Sequence, residues 1–93
     1  MRIYTDEIIN AICLNMADRR GVNPTDVEVQ LSWEEEYGFT AEVWVNGRSQ
    51  YIIEANILEA IEQYIYKQYQ IRVFRSGITL DADEEFWADI AVE

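Results

Sequence analysis

The segment from Val27 to Ile53 alternates apolar and polar residues, and it lies between two segments whose apolar residues recur every three or four positions. Alternation is typical of a strand with one buried face, whereas the longer period is typical of an amphipathic helix. Turn residues divide the alternating segment into three strands that are suited to antiparallel hairpins. The sequence therefore predicts an α+β fold with an α-β-β-β-α core, in which two helices pack on one face of an antiparallel sheet. One or two short C-terminal β segments are predicted to follow.

The two helices are predicted from apolar stripes and terminal residues. The first runs from Asp6 to Arg20: Thr5 has the residue type of an N-cap, acidic residues in the first turn complement the helix dipole, and Gly21 suits the left-handed conformation that ends many helices. The second runs from Ile57 to Tyr69. Asn56 stands just before it and three residues ahead of a glutamate, which is the spacing of a capping box.

The residues after the second helix show a less regular pattern. Ile71 to Phe74 is predicted as a short strand, because β-branched and aromatic residues favour strands. Ile78 to Leu80 is a second extended candidate. From Asp81 to Glu93 the apolar residues fit either an alternating strand or one face of a helix, and the extended conformation is favoured here.

The turn Asn46-Gly47 is the strongest hairpin signal in the chain. A two-residue loop pairs Trp44 with Ser49, but it divides the apolar residues between both faces of the sheet. A three-residue loop from Val45 to Gly47 pairs Trp44 with Arg48 instead and keeps one face apolar. The three-residue register is therefore the predicted one.

In the three-residue register, a set of aromatic, aliphatic, polar and charged side chains points away from the helices. Tryptophan and arginine are among the residues enriched in interface hot spots, so the set is a candidate interaction surface. Three interpretations remain open: the segment with Phe86 and Trp87 covers this face, a protein partner or a second copy binds it, or it is simply exposed. The predicted interaction surface comprises Trp44, Arg48, Gln50 and Ile52.

The charge of the chain excludes more functions than its motifs support. It has 18 acidic and 7 basic residues and no histidine, with a formal net charge of -11. Such a charge repels phosphate backbones and anionic membranes, which argues against nucleic-acid and membrane partners. Without histidine the chain lacks the usual proton shuttle and the commonest metal ligand, and the lone Cys13 fits a small buried hydrophobe. No catalytic residue and no cofactor is predicted, so we do not expect an enzyme.

Two acidic runs are the remaining metal candidates, Glu34–Glu36 and Asp81–Glu85. Calcium takes six or more oxygen ligands, and neither run has the spacing of an EF-hand loop. Weak adventitious binding is one interpretation, but no dedicated metal site is predicted. A carboxylate-based metal sensor or enzyme stays a distant alternative.

The predicted order of elements resembles the double-stranded RNA-binding domain in topology. That resemblance implies two helices on one face of a three-stranded sheet and a lysine cluster that binds phosphates at the start of the second helix. Here the corresponding segment, Glu54 to Glu59, contains two glutamates and no lysine. The departure argues against RNA binding.

Nearly the whole chain also resembles a family of small, acidic, uncharacterised proteins of Bacillus-type bacteria, a domain-of-unknown-function family. The resemblance is carried by Glu7–Cys13, Tyr37–Val45 and Gly47–Tyr51. It implies the bacterial cytosol but no activity and no site residues.

Together these observations predict one domain over residues 1–93, located in the cytoplasm because the chain begins without an apolar leader and has no apolar stretch long enough to cross a bilayer. The expected function is a non-enzymatic protein-interaction or adaptor domain, either homodimeric through the outer sheet face or bound to a protein partner. The alternative is an acidic decoy that occupies the basic surface of a nucleic-acid-binding protein.

Overall fold

The computed structural model describes residues 1–92 and has an α+β fold with two antiparallel sheets. Six strands and two α-helices alternate with short 3₁₀ turns at Pro24–Asp26 and Arg75–Gly77. In chain order the elements are β1 (Arg2–Tyr4), α1 (Thr5–Arg20), β2 (Val27–Glu34), β3 (Gly38–Val45), β4 (Arg48–Ile53), α2 (Glu54–Tyr69), β5 (Ile78–Ala82) and β6 (Phe86–Ile90). The predicted α-β-β-β-α core is confirmed as α1-β2-β3-β4-α2.

The larger sheet has the order β2-β3-β4, and both helices pack on the same face of it. Val29 pairs with Val43, and Leu31 pairs with Ala41. Because directly opposite residues of antiparallel strands share a face, these side chains point together toward the helices. Val43 and Ala41 are fully buried there, which explains the alternation seen in the sequence.

The smaller sheet has the order β1-β6-β5 and joins the two ends of the described chain. The extended conformation predicted for the C-terminal segment is confirmed in β5 and β6, although Glu93 lies outside the described residues. The strand predicted at Ile71 to Phe74 is wrong: that segment is irregular, and it has apolar character because Val73 is buried in the core. Sequence analysis also missed β1, because three residues are too few to show a period.

The hydroxyl of Thr5 links the first helix to the smaller sheet. Its Oγ1 donates to the carbonyl oxygen of Phe86 at 3.2 Å and accepts from the Phe86 N–H at 3.0 Å. The prediction of Thr5 as an N-cap is therefore wrong, since the helix begins at this residue and Tyr4 is the cap. The hydroxyl is used for a tertiary contact in place of a local one.

The other predicted helix ends agree with the structure more closely. Gly21 has a φ of 67° in the left-handed region, and its N–H donates to the carbonyl of Ala17, as expected for a glycine cap. The second helix begins at Glu54, three residues earlier than predicted. Asn56 is therefore not the cap that the sequence predicts: it lies at the third position of the helix, where its Oδ1 accepts from the Ile53 N–H at 3.2 Å.

The hairpin between β3 and β4 corrects the predicted register. Asn46 and Gly47 have φ angles of 52° and 80°. Two consecutive positive φ angles define a type I′ turn, which is the favoured two-residue hairpin loop. Trp44 consequently pairs with Ser49, not with Arg48, so the three-residue loop is wrong.

A single cluster of buried side chains joins both helices and both sheets. Its largest fully buried members are Ile3, Ile8, Ile12, Val43, Ile57, Ile61 and Ile65. Within residues 1–92, neither helix has the length and apolar character required to cross a membrane.

The Thr5 link provides a test of the contact between α1 and β6. Thr5→Val keeps the shape of the side chain but removes the hydroxyl, which leaves the N–H and carbonyl of Phe86 without that partner. We expect the free energy of unfolding to fall by about 1–3 kcal/mol. Urea denaturation measures this, and Thr79→Val on the exposed face of β5 is the matched control. A loss no larger than that of the control would contradict the role of the hydroxyl.

Candidate functional site

The face of the larger sheet that points away from the helices is the candidate site, and we call it the outer sheet face. Its side chains come from alternate positions of three strands, so that each row across the sheet contains one residue from each strand. The rows are Glu28, Trp44 and Ser49; Gln30, Glu42 and Tyr51; and Ser32, Thr40 and Ile53.

Large apolar side chains on the outer sheet face are open to solvent. The exposed fraction is 71% for Tyr51 and 61% for Ile53, while Trp44 is half-buried. Tyr51 lies diagonally across from Trp44 and two residues before Ile53, so the three form a continuous strip. Exposed tyrosine and isoleucine next to tryptophan are the kind of surface that a partner can bury.

The C-terminal segment does not cover this strip. Phe86 packs edge-to-face on Phe39, with ring centroids 6.2 Å apart. Phe39 belongs to the helix-facing side of β3 because it pairs with Trp33 in line with the buried valines. Trp87 lies in the smaller sheet, where the guanidinium of Arg2 stacks 5.1 Å from its ring centroid. Internal covering of the outer sheet face is therefore wrong as an interpretation.

The structure divides the predicted interaction surface between the two sides of the sheet. Trp44 lies on the outer sheet face as predicted, but Arg48, Gln50 and Ile52 pair with Val45, Val43 and Ala41 on the helix-facing side. A register shift of one residue reverses the facing of every side chain in a strand, so one wrong loop length misplaced all three.

Two of the misplaced residues of β4 have local roles on the helix-facing side. The side-chain oxygen of Gln50 accepts from Arg20 at 3.2 Å, and Ile52 packs against the buried cluster. The residues that sequence reasoning missed are Tyr51 and Ile53. The signal that identifies them was available, because an Asn-Gly pair favours a type I′ turn and therefore the two-residue loop.

The charged groups of the outer sheet face all have one sign. Glu28, Glu34 and Glu42 lie on it, and no lysine or arginine of the described strands does; Arg48 belongs to the other side. The carboxylate of Glu42 raises the pKa of the Tyr51 hydroxyl, mainly through its charge. Tyr51 is therefore neutral at physiological pH and can donate a hydrogen bond. The surface combines an apolar strip with a negative border.

A second cluster of titratable groups connects the two helices. The Oε2 atom of Glu7 accepts hydrogen bonds from the hydroxyls of Tyr64 at 2.9 Å and Tyr69 at 2.8 Å. These bonds raise the pKa of Tyr69 to about 12, while partial burial is the main cause of the raised pKa of Tyr64. Because one carboxylate oxygen serves both phenols, the cluster fastens the start of α1 to the end of α2.

The remaining candidates from the sequence do not form a reactive site. Among residues 1–92, no three side chains of the metal-ligating types come close enough to share an ion, including the runs Glu34–Glu36 and Asp81–Glu85. The half-buried thiol of Cys13 lies 3.6 Å from the carbonyl oxygen of Val27. Burial raises the pKa of the Cys13 thiol, which keeps it protonated and weakly nucleophilic.

Comparison with known proteins identifies a family. The family model described as "Protein of unknown function (DUF2653)" matches residues 1–85, a range that includes the whole outer sheet face. No curated protein and no solved structure matches the chain.

The Glu7 cluster predicts a specific pH dependence. Glu7→Gln removes the charge that keeps the Tyr69 proton bound, so we expect the pKa of Tyr69 to fall from about 12 toward 10. Carbon-13 NMR of labelled tyrosine across alkaline pH measures this shift. Asp6→Asn, in the same first turn of α1, is the control and should leave the Tyr69 resonance unchanged.

The same cluster predicts how stability varies with pH. A folded-state pKa above the unfolded value means that the neutral phenol is favoured by folding. The contribution of the Tyr69 phenol to the free energy of unfolding is therefore complete below pH 10 and is lost as the pH rises toward 12. Glu7→Gln should flatten this decline in the free energy of unfolding. An equally steep decline in the variant would contradict the assignment.

Proposed function

We propose that this chain, which belongs to that family of unknown function, is a non-enzymatic protein-interaction domain of the cytoplasm that binds a basic protein surface through its outer sheet face. The observation that carries the proposal is the exposed strip of Trp44, Tyr51 and Ile53 in a face whose charged groups are all carboxylates. The resemblance to proteins of Bacillus-type bacteria supports a bacterial cytosol.

The apolar strip supports recognition at short range. Tyr51 and Trp44 bring large rigid side chains that lose little conformational entropy on binding, and such residues dominate many interfaces. The strip lies on regular strands, so its geometry is set before a partner arrives. Preorganisation of this kind lowers the entropic cost of association.

The negative border of the strip favours a different protein over a second copy. A twofold dimer would bring the face that carries Glu28, Glu34 and Glu42 against the same negative face of another chain. Like charges placed against each other in an interface cost several kcal/mol, whereas lysines and arginines of a partner would be attracted. We therefore infer that the partner is a different, basic protein, and that this chain is monomeric by itself.

The same charge distribution favours one alternative function, the acidic decoy. From Ser76 to Glu93 the sequence has six acidic residues and no basic one, so the acidity extends well beyond the outer sheet face. A basic surface large enough to meet both regions is typical of a protein that binds nucleic acid. In that case this chain would exclude the nucleic acid by occupying its site.

The proposal predicts which variants weaken binding. A photo-crosslinking residue at position 49, in place of Ser49, would identify the partner in cells. The affinity between the two purified proteins would then be measured by calorimetry. We expect Tyr51→Ala to weaken the affinity at least about tenfold, because it removes the most exposed member of the strip. Tyr66→Ala is the matched control, since Tyr66 is a similarly exposed tyrosine on α2.

Three further measurements separate the alternatives. Equal affinities for Tyr51→Ala, Tyr66→Ala and the unaltered chain would contradict the proposed face. Light scattering that shows a dimer dissociated by Trp44→Ala would instead identify a second copy as the partner. Displacement of a bound oligonucleotide from the partner, with a strong dependence on salt, would support the decoy function.

A further inference from the structure

A cleft on the opposite side of the sheet from the outer sheet face has the chemistry of a cation site. It opens where the end of the β2–β3 hairpin meets the β5–β6 hairpin, and it has a volume of about 440 Å³. We call it the aromatic cleft. Its lining residues are Trp33, Phe39, Asp81, Ala82, Asp83 and Phe86.

Three aromatic rings line the aromatic cleft and are only partly covered by the fold. Trp33 and Phe39 are cross-strand partners at the end of the larger sheet, and Phe86 meets Phe39 edge-to-face. The exposed fraction of Trp33 is 55%, a large apolar area to leave in water. The cleft volume lies within the range of about 300–1,000 Å³ that is usual for ligand sites.

The charged side chains of the aromatic cleft are two aspartates, and no basic residue is among its lining residues. Asp81 pairs with Trp87, so its side chain lies on the other face of the smaller sheet from Phe86, where its Oδ1 accepts the N–H of Ala82 at 2.8 Å. Asp83 lies in the turn between β5 and β6, at the edge of the cleft. The acidic run Glu34–Glu36, which begins at the last residue of β2, follows Trp33 directly in the chain. Aromatic faces beside carboxylates attract an organic cation by stacking and by charge together.

The chain already contains a complete example of this arrangement. In the smaller sheet the guanidinium of Arg2 stacks 5.1 Å from the ring centroid of Trp87 and binds both carboxylate oxygens of Asp89, at 2.6 and 3.0 Å. The aromatic cleft presents the same groups, an indole and aspartates, without a guanidinium among its lining residues. The complementary group is therefore an arginine from outside the chain.

The largest other cavity does not have this character. It has a volume of about 470 Å³, but the chain's own Arg72 lies over the ring of Tyr66 at 5.9 Å. Glu62, which also lines that cavity, accepts from the backbone N–H of Arg75 at 3.1 Å. Its aromatic face and its carboxylate are thus used within the chain.

We propose that the aromatic cleft binds an arginine side chain of a basic protein segment, with the guanidinium stacked on Trp33 and paired with Asp83. A planar guanidinium suits this site better than an ammonium, because it stacks on an indole and pairs with carboxylates in a fixed geometry. A peptide arginine suits it better than free arginine, whose own carboxylate is repelled by the neighbouring aspartates and glutamates. The site is separate from the outer sheet face and does not depend on its function.

Titration by NMR tests this proposal with defined probes. The probe is a tripeptide, acetyl-Gly-Arg-Gly-amide, and the neutral control replaces arginine with citrulline, which has nearly the same shape. We expect the indole N–H of Trp33 and the amides of Asp81 to Asp83 to shift in a saturable way. The arginine peptide should bind at least about tenfold more tightly than the citrulline peptide. A lysine peptide should fall between them.

Matched variants locate the binding. Trp33→Leu and Asp83→Asn should each weaken binding of the arginine peptide at least about fivefold. Trp44→Leu, on the outer sheet face, and Asp26→Asn, in the exposed 3₁₀ turn, should leave its affinity unchanged. Trp33→Phe keeps a ring at the site and should retain part of the binding, which separates loss of stacking from loss of folding.

Four results would overturn the proposal. They are equal binding of the arginine and citrulline peptides, full affinity in Trp33→Leu, shifts spread evenly over all acidic surfaces, and free arginine bound more tightly than the peptide. The last result would identify the free amino acid as the ligand. Trp44→Leu changes the outer sheet face, whereas Trp33→Leu changes the aromatic cleft. Loss of partner binding at the outer sheet face is therefore distinguishable from loss of arginine binding in the cleft.

Discussion

The positive φ angles of Asn46 and Gly47 decide which side of β4 faces the helices. They close the hairpin with a two-residue loop, which directs Ile52 inward and leaves Tyr51 in solvent. The effect continues into α2, since β4 ends at residue 53 and the helix begins at residue 54 without a linker. The direction in which the second helix leaves the sheet therefore depends on the same turn.

Long periodic segments were predictable because their pattern is local. The alternation of β2 and β3 and the stripes of both helices reflect which side chains are buried, and the structure confirms them. The short elements of the C-terminal half depend on distant partners. β1 forms because it pairs with β6 by backbone hydrogen bonds. Next to this pairing, the Ile90 N–H donates to the carbonyl of Met1 at 2.7 Å. The residues Ile71 to Phe74 have strand-like composition, but no strand pairs with them in the described chain.

The candidate site was only partly predictable, and the reason is physical. The predicted register keeps one face of the sheet apolar, which is the right criterion for a chain that must fold alone. The turn chemistry favoured the other register, at the cost of exposing Tyr51 and Ile53. When a local backbone preference and the burial of apolar residues disagree, the exposed residues are those for which a partner is expected. Trp44 was found because both registers place it on the outer sheet face.

The uneven use of the basic residues explains why the two proposed surfaces are negative. Arg2 is paired with Asp89 in the smaller sheet, while Lys67 and Arg75 pair with carboxylates on the helices. Exposed pairs of this kind contribute little to stability, but they neutralise the regions in which they lie. In the described chain, the carboxylates of the outer sheet face and of the aromatic cleft take part in none of these pairs. The field of these carboxylates attracts basic proteins at long range and weakens with salt, whereas contact with Tyr51 or Trp33 acts only at short range. In the two proposed binding modes, the carboxylates would therefore govern how fast a basic partner arrives, and the aromatic side chains would govern which partner stays bound.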